Sequence, residues 1–328
     1  MKKILVTGGA GFISSAFIRH LLQSTPYEIL SLDALTYAGN LENLADIRSH
    51  ERLSFVQGDI RDEALIRSVV EQVDVIVNAA AESHVEKSIL EGASEFVATN
   101  VEGTRVLLDA IREVPVERFI LISSSEVYGT AETVPMDEQH PLNPRSPYAA
   151  TKAGADRLAY AYHATYGLPI VIVRPFNNFG ARQHPEKVIP RFVIQALEEQ
   201  PLTVHGDGSA SRDWLYVEDD AEAIEAVIEA GDDVVGEVIN IATGVDVSVS
   251  RIADLVLDLL GKPPSLKQFV EERPGQVRRH VGSTDKAERL LGWRARSSFQ
   301  DGLERTIAWY RDNEVWWRAT QAASVYSS

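Results

Sequence analysis

The sequence predicts an α/β protein on a doubly wound parallel sheet, with a smaller C-terminal substrate-binding domain. Three observations predict it: β-branched runs alternate with helical periods through the first half, the first run feeds into glycines, and the second ends in an aspartate about 20 residues later. Strand-like runs fall at 3–7, 28–33, 53–57, 74–79, 118–123 and 169–174, with helical periods near 13–23, 62–70, 100–113 and 148–166. That rhythm specifies parallel strands joined by helical crossovers. Val73 to Ala81 is apolar except for Asp74 and Asn78, as a central strand covered on both faces requires, and its Ala79, Ala80 and Ala81 are small enough for a cofactor to lie on.

After about residue 175 the elements shorten, and loops rich in Gly, Pro and Arg appear at 182–190, Gly206-Asp207-Gly208, Arg212-Asp213-Trp214 and Arg273-Pro274-Gly275. This half reads as a substrate cap, closed by helices near 249–260, 285–291 and 301–312. Trp309, Tyr310, Trp316 and Trp317 at its end read as core or lid rather than as a stacking platform. The expected division is a dinucleotide-binding domain over 1–175 with some returning segments from the second half, a mainly substrate-binding domain over 176–318, and a poorly ordered tail over 319–328.

A chain of 328 residues, 45% of them hydrophobic, supports a large buried core. Zero cysteines exclude a disulfide scaffold, a thiolate nucleophile and a cysteine zinc site, and point to the cytoplasm. A net charge of −16 argues against nucleic acid or an anionic membrane as partner, so phosphates on a ligand must be met by locally placed arginines. No stretch reaches transmembrane length, and glycines interrupt the apolar run after Lys2 and Lys3. Eight histidines show no metal-ligand spacing, so no metal is expected and catalysis should rest on an organic cofactor.

The first strand runs into Thr7-Gly8-Gly9-Ala10-Gly11-Phe12-Ile13-Ser14 and then an amphipathic helix, the arrangement that places a pyrophosphate on a helix N-terminus. Gly8 takes the tight turn, and Gly11 lets backbone N–H groups approach the phosphates. Ser14 stands where a third glycine is expected. Asp33, ending the second strand, is placed for the adenosine ribose hydroxyls; no Lys or Arg follows before Arg48, so NAD is favoured over NADP.

Tyr148 and Lys152, four apart on a helix, share a face, so the ammonium can favour the phenolate and make Tyr148 a base. Ser124, after the strand Phe119-Ile120-Leu121-Ile122, would aim a hydroxyl at the same point in the cleft.

In these motifs the chain resembles the extended short-chain dehydrogenase/reductases of Rossmann fold acting on nucleotide sugars, and is most similar to the dTDP-glucose 4,6-dehydratases. The resemblance is carried by Thr36 to Leu44 (TYAGNLENL), Ala81-Glu82-Ser83-His84-Val85, Glu126-Val127-Tyr128-Gly129, Ser146-Pro147-Tyr148, Asn177-Asn178-Phe179-Gly180 and Gln183-His184-Pro185-Glu186-Lys187. It implies tightly held NAD contacted also by Phe12, Ile13, Asp59, Ile60, Asn100, Tyr148 and Lys152, and a homodimer formed through two helices of each subunit. It further implies a nucleotide-sugar site including Ser83, Asn177, Lys187 and Asn240, with Arg212 and Arg273 as diphosphate clamps.

In that family Tyr148 takes the O4 proton while hydride leaves C4, and a carboxylate, here Glu126, removes the acidified C5 hydrogen. Relatives place an Asp before this Glu as the acid for O6; this chain has Ser125. Either Glu126 delivers the proton to O6 itself, or water is not the group lost. The second branch describes a UDP-glucuronate decarboxylase, whose C6 carboxylate a neutral Ser125 would suit. A 4-epimerase would leave Glu126 without a task, a simple dehydrogenase would release NADH, and an NAD sensor or scaffold would not need Ser124, Tyr148 and Lys152. Gln276-Val277 replaces the family's His-Asp after Arg-Pro-Gly, which leaves the base and sugar open.

Overall fold

The computed structural model describes residues 1–272 and 277–325. Strands β1 (Lys3–Thr7), β2 (Glu28–Asp33), β3 (Leu53–Gln57), β4 (Val75–Asn78), β5 (Arg118–Ile122) and β6 (Ile170–Pro175) match the expected runs to within a residue or two. Four more follow: β7 (Asn177–Phe179), β8 (Leu202–His205), β9 (Ser211–Tyr216) and β10 (Val238–Ile241). The main sheet has the order β10-β6-β5-β4-β1-β2-β3, every pair parallel. Its order reverses between β1 and β4, and a crevice at that reversal is where open α/β sheets bind ligands.

Alternation along each strand builds two cores, one per face. Ile4, Val6, Val75, Val77, Ile120, Ile122, Val171 and Val173 fill one; Leu5, Ile76, Phe119, Leu121, Ile170 and Ile172 fill the other. The first layer takes helix α1 (Phe12–Ser24); the second takes α2 (Glu63–Val70), reached before two short helices, α3 (Val85–Leu90) and α4 (Ser94–Phe96), then α5 (Thr104–Glu113) and α6 (Pro147–Tyr166). The helix expected over 100–113 begins with a π-helical stretch, Val97–Gly103. Its ladder widens where the Thr104 hydroxyl takes the Asn100 carbonyl at 2.7 Å.

Beyond β7 lie α7 (Val188–Leu197), α8 (Val217–Glu229), α9 (Val249–Leu259), the strands β11 (Asp246–Ser248), β12 (Lys267–Val270) and β13 (Arg279–His280), and helices α10 (Asp285–Leu291), α11 (Phe299–Asp312) and α12 (Glu314–Val325). Phe179, Phe192, Trp214, Tyr310 and Trp317 centre a third core among them. The tail expected from Ala319 is instead the second half of α12, held because Trp317 is buried and its indole N–H donates to the Tyr310 carbonyl at 3.0 Å. Among the described residues no helix is long and apolar enough to cross a membrane.

A buried ion pair ties α6 to β6: Arg174 donates to Asp156 through Nε at 2.8 Å and Nη2 at 2.9 Å, and both side chains are almost wholly buried. Asp156→Ala strands the guanidinium in the core, which costs about 3–5 kcal/mol. The expected result is a lower urea midpoint at unchanged m-value; a loss under about 1 kcal/mol would show that water reaches Arg174.

Candidate active site

The crevice at the sheet's reversal opens into one cleft of ≈ 1940 Å³. That exceeds the roughly 300–1,000 Å³ of a site for one drug-sized ligand, leaving room for a dinucleotide beside a second nucleotide. Gly8, Gly11, Phe12, Ile13, Asp33, Asp59, Ile60, Ala79, Ala80 and Ala81 line it, as do Ser124, Ser125, Glu126, Tyr148, Lys152, Ser83, Asn177 and Lys187.

At the glycine turn, Gly8 has φ +65°, and a Cβ there would come within 2.8 Å of Ala80 Cα. The Gly11 N–H closes the turn on Gly8 O at 2.9 Å, so it does not face a ligand itself. No side chain caps α1, which leaves the N–H groups of Phe12 and Ile13 on the cleft wall where a pyrophosphate fits. Ser14 is buried and its hydroxyl reaches Thr7 O at 3.4 Å, an additional tie between helix and strand. Asp33 accepts from Ala10 N at 2.9 Å and Leu35 N at 2.7 Å; burial raises its carboxyl, and those two bonds oppose the rise. Each oxygen keeps a further lone pair for a ribose hydroxyl. Asp59 is gripped by Arg61 at 2.7 Å.

The reacting end is assembled from β5, a short turn and α6. Ser124 caps the turn Ser125–Tyr128, accepting from Glu126 N at 3.2 Å, and so sets the direction of the Glu126 side chain. Ser146 caps α6 and Pro147 opens it, which fixes Tyr148 in the first turn. Lys152 donates to Ile122 O at 2.6 Å, anchoring its ammonium at the end of β5. Burial drives that ammonium down to about 8, against the pull of the Asp156 carboxylate.

Tyr148 departs from expectation. Burial pushes its phenol up to about 12, Ser124 lowers it, and Glu126 raises it. The Lys152 ammonium is held by the Ile122 carbonyl. From the chain's own groups the phenol is protonated at neutral pH.

Three other expected contacts fall elsewhere. Asn100 is spent on the backbone of Glu82, accepting at 2.9 Å and donating at 3.1 Å, and on Thr151; it braces the loop after β4 from behind. Asn240 is fully buried and outside the cleft, accepting from Tyr128 OH at 2.7 Å and donating to Met136 O at 3.1 Å. Arg212 is half-buried and lies outside the cleft lining, with the Glu126 charge acting on it. Arg273 falls outside the described residues.

Sequence reasoning missed two walls. Tyr37 bonds Ser83 at 3.0 Å, while Glu186 meets His84 at 3.0 Å and Lys187 at 3.1 Å, tying three loops across the cleft. Burial favours the neutral acid, yet His84, Lys187 and His184 hold Glu186 down to about 2. The other wall is C-terminal: Trp309, Trp316, Ala319 and Thr320 line the cleft beside Asn40 and Asn43, and Asn40 reaches Thr320 at 3.4 Å. Trp309 and Trp316, expected as core or lid, thus stand at the cleft.

A family profile described as GDP-mannose 4,6 dehydratase matches residues 5–306. The chain belongs to the nucleotide-sugar 4,6-dehydratase family. Among its relatives, the low-salt glycan biosynthesis protein Agl12 of Haloferax volcanii is 48% identical, covering 94% of this chain and 98% of that one. A dTDP-glucose 4,6-dehydratase of Actinoplanes sp. is 44% identical over 96% of this chain and 99% of its own. The dTDP-glucose 4,6-dehydratase DesIV of Streptomyces venezuelae, solved with NAD bound, superposes with a TM-score of 0.93 at 44% identity, covering 97% of this chain and 99% of that one. Ser125 is the point at which this member departs from the Asp expected before the family's Glu.

Proposed function

We infer that this chain is an NAD-dependent nucleotide-sugar 4,6-dehydratase, converting a dTDP- or UDP-linked hexose to its 4-keto-6-deoxy product. The observation that carries the reading is that Ser124, Glu126, Tyr148 and Lys152 line the same cleft as the glycine turn and Asp33. When bound, NAD supplies a hydride acceptor for C4 and the donor that returns the hydride to C6.

The chain's own groups handle protons. Tyr148 takes the O4 proton, with Ser124 holding O4, and later releases that proton to solvent. Glu126 takes the C5 proton made acidic by the C4 ketone. Ser125 cannot supply an acid proton, so protonated Glu126 turns to O6, and C6–O6 breaks with loss of water. Glu126 then returns a solvent-derived proton to C5, which balances the one released from O4. Half-buried Arg212, outside the cleft lining, is the cation that steadies the Glu126 carboxylate from a distance. Lys187, Ser83 and Asn177, whose amide oxygen is buried without a partner, complete the sugar side.

The reading includes a cytoplasmic homodimer. Exposed Val97, Tyr160 and Tyr166, on the π-helical stretch and α6, are apolar side chains of the kind a helix-to-helix interface covers.

The test is incubation with dTDP-glucose, UDP-N-acetylglucosamine and UDP-glucuronate separately, followed by mass measurement. Loss of water is expected; loss of carbon dioxide, or unchanged mass with altered stereochemistry, would replace the dehydratase by a decarboxylase or an epimerase.

A further inference from the structure

The turn that carries Glu126 is held at its far end by a residue outside the cleft. Ser125–Tyr128 closes on Gly129, at φ +73°, and the Gly129 carbonyl accepts a hydrogen bond from His280 Nε2. A Cβ on Gly129 would approach Asn143 O to 2.0 Å, so only glycine fits where the turn closes. His280 is fully buried, with its ring 6.1 Å from that of Phe176, a residue of the cleft wall. In β13 it stands in register with Arg212 of β9.

Because a carbonyl only accepts, Nε2 carries the proton and Nδ1, which has no partner among the described residues, is a bare lone pair. Burial favours this neutral ring; Glu126, Arg212 and His140 are the titratable groups that act on it. The adjacent Arg279 turns away to Asp246 at 2.9 and 3.0 Å. Backbone bonds from Ala131 to Arg279 at 3.3 Å and from Met136 to Val281 at 2.7 Å also join this segment to the loop after the turn. Those bonds would survive any side chain at 280. The ring bond to Gly129 would not.

We propose that His280 is a positioning residue for the elimination step: its Nε2–H fixes the Gly129 carbonyl, and with it the direction in which Glu126 meets C5 and O6 of the sugar. The inference rests on Glu126 being the C5 base, and Ser125 is what gives it weight. One carboxylate serving two atoms tolerates less misplacement than a carboxylate assisted by a second acid. Tyr148 and Lys152, carried by α6, do not depend on this bond.

The test compares His280→Leu, which keeps bulk without the donor, with His280→Gln, whose amide can still donate to Gly129. Both are studied as NAD-loaded full-length protein with dTDP-glucose, or with UDP-N-acetylglucosamine should the wild type turn over only that. In the Leu variant kcat falls on the order of a hundredfold with KM nearly unchanged. Reduced nicotinamide accumulates by its near-ultraviolet absorbance, because C4 oxidation outruns water loss. The Gln variant recovers most of the rate. Three results would overturn the proposal: a Leu variant with wild-type kcat, oxidation and elimination slowed together, or a Gln variant no faster than Leu when both are folded with bound NAD. Should Leu fail to fold, Gln against Met makes the same comparison. A wild type that dehydrates no nucleotide hexose would overturn the dehydratase reading itself, a result distinct from an unresponsive position 280.

Discussion

Tyr148→Phe lowers kcat by about 10²- to 10⁴-fold while leaving NAD bound, the range expected when a positioned general base is removed. The phenol ring packs edge-on against Phe96 at 6.5 Å, a contact that phenylalanine keeps, so the loss is chemical rather than structural. What disappears is the oxygen that accepts the O4 proton and bonds Ser124. The direction of the phenol's titration sharpens the expectation. A group pushed up to about 12 is a poor base until a neighbouring positive charge lowers it, so Tyr148 should titrate lower in the NAD-loaded protein than in the stripped one. Stopped-flow absorbance of nicotinamide reduction on mixing with a nucleotide hexose reads the step directly. A Phe variant that reduces its cofactor at the wild-type rate would remove Tyr148 from the mechanism. A protein whose cellular output survives the change would be a sensor.

Glu126→Gln should produce the complementary phenotype. The first half-reaction needs Tyr148 and Lys152, both on α6, whereas abstraction at C5 needs the carboxylate on the turn after Ser124. The variant therefore reduces its cofactor and stalls, with water loss slowed about 10²- to 10⁴-fold. Retention of the C5 hydrogen in deuterated solvent is the second readout, because an amide cannot remove it. Water loss at the wild-type rate would assign both proton transfers to some other group. Ser125 is 2% exposed and its hydroxyl is too weak an acid to share the work, so the task falls on Glu126.

Much of this was legible in the chain because it depends on local pattern. β1, β2, β3 and the glycine turn follow from short apolar runs and from a backbone conformation that Gly8 adopts without strain. Tyr148 and Lys152 follow from helical spacing, and Ser146-Pro147 marks where that helix starts. The misassigned residues share a different origin. Asn100 and Asn240 were expected at a ligand from the resemblance; their partners, Glu82 and Thr151 for one and Tyr128 and Met136 for the other, include groups that only folding brings within reach. Arg212, on β9, likewise meets the Glu126 charge only because the fold brings two distant segments together.

The chain by itself determined the sheet, the dinucleotide turn and the identity of the reacting groups, since each is encoded within a few turns or strands of contiguous sequence. Tertiary structure alone decided that Lys152 leans on Ile122 rather than on the phenol, that the last helix forms a wall of the cleft, and that His280 grips the far end of the catalytic turn. The bond from His280 to Gly129 spans 151 residues, and no local periodicity records a contact of that range. Such contacts arise where separate elements bury their surfaces together, and the geometry of that packing is a property of the whole fold.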